Sequence, residues 1–133
     1  MLFRSNITIY DEYDIRDGEP PHVVAERIYD NPYYHWIVML MNDRYDYKTD
    51  WPLSQNDLDK FITSKYGDQK YAIHHYQLNG FVVDSSTVGA SSVSNYDYEV
   101  NLNESKRRIK IVPKALIGKI NSKNKIILNI IHL

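Results

Sequence analysis

The sequence predicts an α+β protein, on three observations. Residues 7–15 alternate β-branched or aromatic with polar residues, the period of a half-buried strand. Between Pro21 and Gly67 apolar residues recur at helical spacing, punctuated by capping residues and prolines. Beyond that, Asn79-Gly80 separates two short alternating runs, the strongest short-range hairpin signal. Two domains are expected: 1–67, holding the N-terminal strand and three helices, and 68–133, holding the hairpin, a mobile Ser-rich loop and a basic strand–helix extension.

After the first strand, Asp17-Gly18-Glu19 breaks the pattern and Pro20-Pro21 opens a helix, where a missing N–H costs nothing. Pro21, Val24, Ala25 and Ile28 form its apolar face. Asn31-Pro32 restarts the chain as a cap and first helical residue for a helix over Tyr33–Met41. No charge interrupts that helix, so it belongs at the centre of the domain. Trp51-Pro52 marks a bend. Ser54-Gln55-Asn56-Asp57 resembles a capping box for a third helix, with Leu58, Phe61, Ile62 and Lys65 on one side and Gly67 as its stop. Trp36, Ile37, Leu40, Ile28 and Phe61 are the expected core.

In the hairpin, Leu78 should face Phe81 and Tyr76 should face Val83, giving one apolar side. Residues 85–95, rich in Ser, Thr, Gly and Asn, read as a loop. Ile109-Lys110-Ile111-Val112 reads as a strand ending at Pro113, followed by a helix with Leu116, Ile117 and Ile120 on one face. Ile126–Ile131 is ambiguous between helix and strand.

The chain of 133 residues is long enough for a core without staples, and it has no cysteine for disulfides or thiolate metal sites. No stretch approaches the ~20 apolar residues of a membrane span, and the N-terminus lacks the apolar run of a signal peptide. The protein is therefore read as soluble and unprocessed. The net charge is only −1, but it is unevenly spread. Residues 1–104 hold eight Lys/Arg and all seventeen Asp/Glu, while 105–133 hold eight Lys/Arg and no acid. Such asymmetry implies a partner for one half, or each half serving the other. An acidic body opposes a polyanion, so an acidic protein surface is preferred to nucleic acid as a partner. Twelve tyrosines and two tryptophans suit protein interfaces, although core-edge packing accounts for them equally well.

The residues offer no visible chemistry. His74-His75 adjoin on a strand, where neighbours point to opposite faces, and His22, His35 and His132 have no ligand spacing. No nucleophile elbow or phosphate-cradling Gly-rich loop occurs. No catalytic residue, metal or cofactor is expected. Lys106-Arg107-Arg108, with Lys110 and Lys114, is the densest basic patch, either a solvated face or a contact with an acidic neighbour.

The strand, the turn Asp17-Gly18-Glu19-Pro20-Pro21, the first helix and Ile28-Tyr29-Asp30-Asn31-Pro32 resemble a LysM-type βααβ module. The longer string from Ala25-Glu26-Arg27-Ile28-Tyr29-Asp30-Asn31-Pro32-Tyr33-Tyr34-His35-Trp36 to Leu40-Met41-Asn42-Asp43 is more specific. With Trp51-Pro52 and Arg108-Ile109-Lys110-Ile111-Val112, it resembles the baseplate wedge protein 53 family of T4-like contractile-tailed phages. That resemblance implies a non-enzymatic structural protein of the virion tail baseplate, made in the host cytoplasm. It implies several copies in a symmetric assembly, contacting other wedge subunits of the same phage, without nucleic acid or membrane. The alternative is a LysM-type module binding carbohydrate such as peptidoglycan, although Pro20 and Pro21 deprive the first turn of N–H donors.

Tyr33, Tyr34, Trp51, Lys106, Arg107, Arg108 and Lys110 are the interface candidates, with Trp51 open between core and contact. Charge reversal at Lys106, Arg107 and Arg108 is expected to block assembly while leaving the monomer folded.

Overall fold

A computed structural model describes residues 10–117. In chain order its elements are β1 (Asp11–Asp14), α1 (Pro21–Tyr29), a 3₁₀ turn (Pro32–Tyr34), α2 (His35–Met41), α3 (Tyr47–Asp50), α4 (Gln55–Tyr66), β2 (Ile73–Leu78), β3 (Phe81–Val83), β4 (Ser91–Ser94), α5 (Asn95–Glu104) and β5 (Arg108–Ile111). Helices and small antiparallel sheets coexist, as the sequence predicts.

The chain divides into two units. The first joins the stretch up to Pro52 with the stretch from Lys106 onward; the second is Leu53–Ser105. A boundary at 67/68 therefore falls inside the second unit. The physical reason is strand pairing. β1 supplies a row of backbone donors and acceptors that no neighbouring segment fills, and its partner is β5, from the far end of the chain. Asp11, Glu12, Tyr13 and Asp14 lie opposite Ile111, Lys110, Ile109 and Arg108. The basic strand assigned to an extension is thus an integral strand of the first unit, which runs β1, α1, α2, the short α3 and β5, with Leu53–Ser105 inserted before the last strand.

Local signals account for the helices of this unit. Pro21 occupies the first position of α1, and Asp30 closes it in the left-handed region at φ 61°, its N–H donating to the Glu26 carbonyl. The Asn31 side chain accepts from the Tyr33 N–H and starts the 3₁₀ turn that leads into α2. The core gathers Ile15, Val24, Ala25, Tyr29, Ile37, Val38, Trp51, Ile109, Ile111, Val112 and Ile117. Trp36, Leu40 and Ile28 are half-buried rather than central: the buried residues of α2 are Ile37 and Val38, and those of α1 are Pro21, Val24, Ala25 and Tyr29. Two long-range hydrogen bonds fasten the layers. Tyr29 Oη donates to the Val112 carbonyl at 2.6 Å, and Trp51 Nε1 donates to the Glu19 carbonyl at 2.8 Å.

In the second unit, Ser54 caps α4 by accepting the Asp57 N–H, as the capping pattern predicts. Leu58 and Ile62 are buried there, but Phe61 is exposed, one position off the buried side. The hairpin has the predicted register, with Leu78 opposite Phe81 and Tyr76 opposite Val83, and Asn79 and Gly80 both at positive φ. Residues 85–95 are not simply a loop. Ser91–Ser94 form β4 against β2, with Val93 turned inward, and Ser94 caps α5 through the Asp97 N–H. Serine is a weak strand former, and pairing with β2 outweighs that local preference. The resulting sheet has the order β3-β2-β4. Asn103 closes the unit by clamping Leu53: its Oδ1 accepts the Leu53 N–H at 2.8 Å and its Nδ2 donates to the Leu53 carbonyl at 3.0 Å.

Residues 7–9 of the expected first strand, the helix expected beyond Ile117 and the Ile126–Ile131 run lie outside the described residues. None of the described helices is long and apolar enough to cross a membrane.

Candidate interaction surface

The two faces of the β1–β5 ribbon divide by chemistry, as alternation requires. Tyr13, Ile109 and Ile111 lie on one side, and both isoleucines are buried in the core. Glu12, Asp14, Arg108 and Lys110 occupy the other. Arg108 makes a bidentate fork to Asp14, Nε to Oδ1 at 2.8 Å and Nη2 to Oδ2 at 2.9 Å, and reaches Glu12 Oε2 through Nη1 at 3.0 Å. The Arg108 hydrogen bond holds the Asp14 carboxyl below its ordinary range, and Asp14 in return raises the guanidinium. These groups are exposed, so the geometry specifies register more than it adds stability.

The remaining basic candidates are also engaged within this unit. Arg107 Nε donates to the Ile15 carbonyl at 2.9 Å, continuing the ladder beyond β1, where the Ile15 N–H donates to the Arg107 carbonyl. Lys106 Nζ donates to the Thr49 carbonyl at 2.8 Å. Lys110 Nζ sits 4.8 Å from the Tyr10 ring centroid, and its backbone N–H and C=O are both held by the Asn42 side-chain amide. Lys114 pairs with Asp30. Arg108 with Asp14 and Glu12, and Lys114 with Asp30, fit the explanation in which acids and bases of one unit serve each other, whereas Lys106 and Arg107 bind backbone carbonyls. Arg107 and Arg108 contribute to the fold, so reversing them perturbs the β1–β5 pairing as well as any surface.

The aromatic candidates separate. Tyr33 is 68% exposed, its ring edge-on to Tyr34, which is half-buried against the core and edge-on to Tyr29. Trp51 is 2% exposed, and so belongs to the core. Arg44 lies over its ring at 5.7 Å, and burial lowers the Arg44 pKa.

A buried carboxylate organises each unit. Glu19 accepts from the Arg16 N–H, from Tyr13 Oη and from Arg27 Nε at 2.8–3.0 Å. Burial pushes its pKa up, but these donors outweigh it and the net shift is downward. Glu99 accepts from Tyr66 Oη at 2.6 Å and Lys65 Nζ at 2.9 Å, with the same balance. Both carboxylates are engaged by structural partners. Among the described residues no cluster of three or more His, Asp or Glu could hold a metal ion.

Sequence reasoning did not single out the exposed apolar surface of the second unit. Phe81 and Val82 are each 74% exposed at adjacent positions of β3, and Tyr71, Ile73 and Val88 are exposed as well. The pairing of Leu78 with Phe81 predicts an apolar side, but whether that side is covered depends on elements distant in sequence. Val82, between two residues assigned to that side, carried the signal that both faces of the strand are apolar.

The family model for base plate wedge protein 53 matches residues 3–83. The chain is also similar to the baseplate wedge protein gp53 of Enterobacteria phage T4, with 27% identity over 131 residues, a match spanning 80% of this chain and 67% of that protein. The matched segments include β1, α1, α2 and the hairpin, and so draw on both units. By this match the chain belongs to the base plate wedge protein 53 family.

Proposed function

We propose that this protein is a structural subunit of a phage tail baseplate, working through protein–protein contacts that connect neighbouring wedges. The family match over residues 3–83 carries the reading. Its partners are other wedge subunits of the same phage, its place is the virion tail, and it performs no catalysis. The two organising carboxylates fit this, being neutralised by structural donors instead of held ready for proton transfer.

Within that role, exposed Tyr33 and the Phe81–Val82 edge are the contact residues we favour, because large apolar side chains left in water reward burial by a partner. Lys110 and Lys106 offer positive charge on the first unit, while Arg107 and Arg108 shape the strand that presents them. The order β1–α1–α2 closed by β5 supports a LysM-like module used as scaffold, with the short α3 added to it. Sugar binding is the weaker reading: in the turn that leads into α1 the Arg16 N–H is taken by Glu19, the Glu19 N–H donates to the Arg16 carbonyl, and Pro20 and Pro21 carry none.

Co-expression with the wedge proteins of the same phage tests the proposal. The chain should co-sediment with wedge assemblies, and Tyr33→Asp with Val82→Asp should abolish this while leaving the circular dichroism unchanged. Failure of the wild-type chain to enter any wedge complex, or saturable peptidoglycan binding reversed by chitooligosaccharide, would overturn the connector role.

A further inference from the structure

Alternation along a strand sends neighbouring side chains to opposite faces, which is why His74-His75 carries no ligand signal in the sequence. In β2 that premise fails. The pairing with β4 shifts register between Ile73 and His75, and the irregularity frees His74 from the pleat. The two Nδ1 atoms lie 2.8 Å apart, with the ring planes at 82°. Tyr98, on α5, braces both rings: it stacks on His74 with centroids 3.8 Å apart and meets His75 edge-on at 6.1 Å. His74 is exposed and His75 half-buried, so the pair is open to solvent.

Two neutral imidazoles at this distance share one proton, the Nδ1–H of one donating to the lone pair of the other. A divalent ion can bind both nitrogens if the ring that carries the shared proton moves it to its own Nε2 through solvent, which leaves both imidazoles neutral with free Nδ1 lone pairs, and if the nitrogens need not move far. With metal–nitrogen bonds of ~2.0–2.1 Å, ligands at ~90° stand ~2.9 Å apart and tetrahedral ligands ~3.4 Å apart. The observed separation fits the first. Cis nitrogens in a tetragonal shell suit Cu²⁺ or Ni²⁺, whereas Mg²⁺ and Ca²⁺ require oxygen donors. We propose that His74 and His75 form a bidentate surface chelate for a Cu²⁺- or Ni²⁺-class ion, with both Nδ1 atoms as cis ligands. No third described residue completes the shell, so the other positions go to water or to a side chain of a neighbouring subunit.

The experiment is titration of the full chain with Ni²⁺ and with Cu²⁺ by calorimetry, Mg²⁺ serving as control, together with electron paramagnetic resonance of the Cu²⁺ form. Expected are one strongest site, no Mg²⁺ binding, and nitrogen splitting from two imidazoles that falls to one in His74→Ala and in His75→Ala. Each substitution should weaken the site by at least about tenfold, since loss of a ligand exceeds the loss of an outer-shell partner. Tyr98→Leu keeps both donors, and should weaken binding less than either histidine variant does. Unchanged affinity in the double His74→Ala, His75→Ala variant would place the ion elsewhere and overturn the proposal. Should the variants not fold, a wild-type spectrum with fewer than two nitrogen ligands overturns it alone.

Discussion

Tyr29→Phe isolates a single hydrogen bond in the core of the first unit. The ring stays, so no large cavity forms, and the edge-on packing against Tyr34 is kept. What is lost is the donor to the Val112 carbonyl, a 2.6 Å bond between two buried residues. Leaving a buried acceptor without this donor costs about 1–3 kcal/mol. Trp36 and Trp51 are the only tryptophans and both belong to this unit, so tryptophan fluorescence during urea unfolding reads it selectively.

The pH dependence sharpens the same test. Burial pushes the Tyr29 phenol from 10.0 up to about 12, because ionisation would set an anion in the core, and the Asp11 charge adds to the cost. A raised pKa means that the stability is fully present below pH 10 and is lost as pH climbs through 12. At pH ~11 the wild type has given up about 1.4 kcal/mol through this group, and the phenylalanine variant nothing. The difference between the two proteins should therefore narrow between pH ~8 and pH ~11. A difference that is absent at pH ~8, or that stays constant across that range, refutes the reasoning.

Three further perturbations probe the other contacts. Glu19→Gln should destabilise the first unit by roughly 1–3 kcal/mol at neutral pH, measured by the same fluorescence transition. Since the Glu19 carboxyl is held below its ordinary 4.5, its stability is present above that pH and lost as pH falls through the lowered value, so the variant should show a flatter acid limb. Asn103→Ala should expose the Leu53 N–H, and amide exchange there should accelerate well beyond that of the α4 interior. Arg108→Glu should lower the unfolding midpoint by facing Asp14 and Glu12 with a like charge, and the exchange Asp14→Arg with Arg108→Glu should restore it. If Arg108→Glu leaves the midpoint unchanged and only assembly fails, the basic strand serves as a docking surface and not as part of the fold.

Local features of the fold were legible where the controlling interactions are local. Pro21 at a helix start, the Asn31 and Ser54 caps and the Asn79-Gly80 turn each act within a few residues, and the structure contains all of them. The helix α5 carried the same Ser-x-x-Asp signal at Ser94–Asp97 that identified α4, and it went unread inside a stretch dominated by loop composition. Pairing partners are a different matter. Nothing near β1 indicates that β5 fills its edge, and this long-range choice moved the unit boundaries. Candidate residues divide the same way. Tyr33 is exposed, as a contact residue must be, while Trp51 and Arg107 are taken up by partners that only the folded chain reveals.

The pairing of β1 with β5 also dictates an order of events during synthesis. Arg108 follows Asp14 by 94 residues. At ~5–20 residues per second, β1, α1 and α2 wait roughly 5–20 s after β1 is made before their closing strand exists. Leu53–Ser105 emerges within that interval, with its helices, hairpin and cap signals contiguous, so it can fold while the first unit is still an open half. The ribosome thus delivers the inserted unit finished and the scaffold unfinished. For those seconds the apolar side of α1 and α2 has no sheet to cover it, and crowded translation or slowed elongation before codon 108 should lower the yield of soluble protein more than the same delay placed after codon 117.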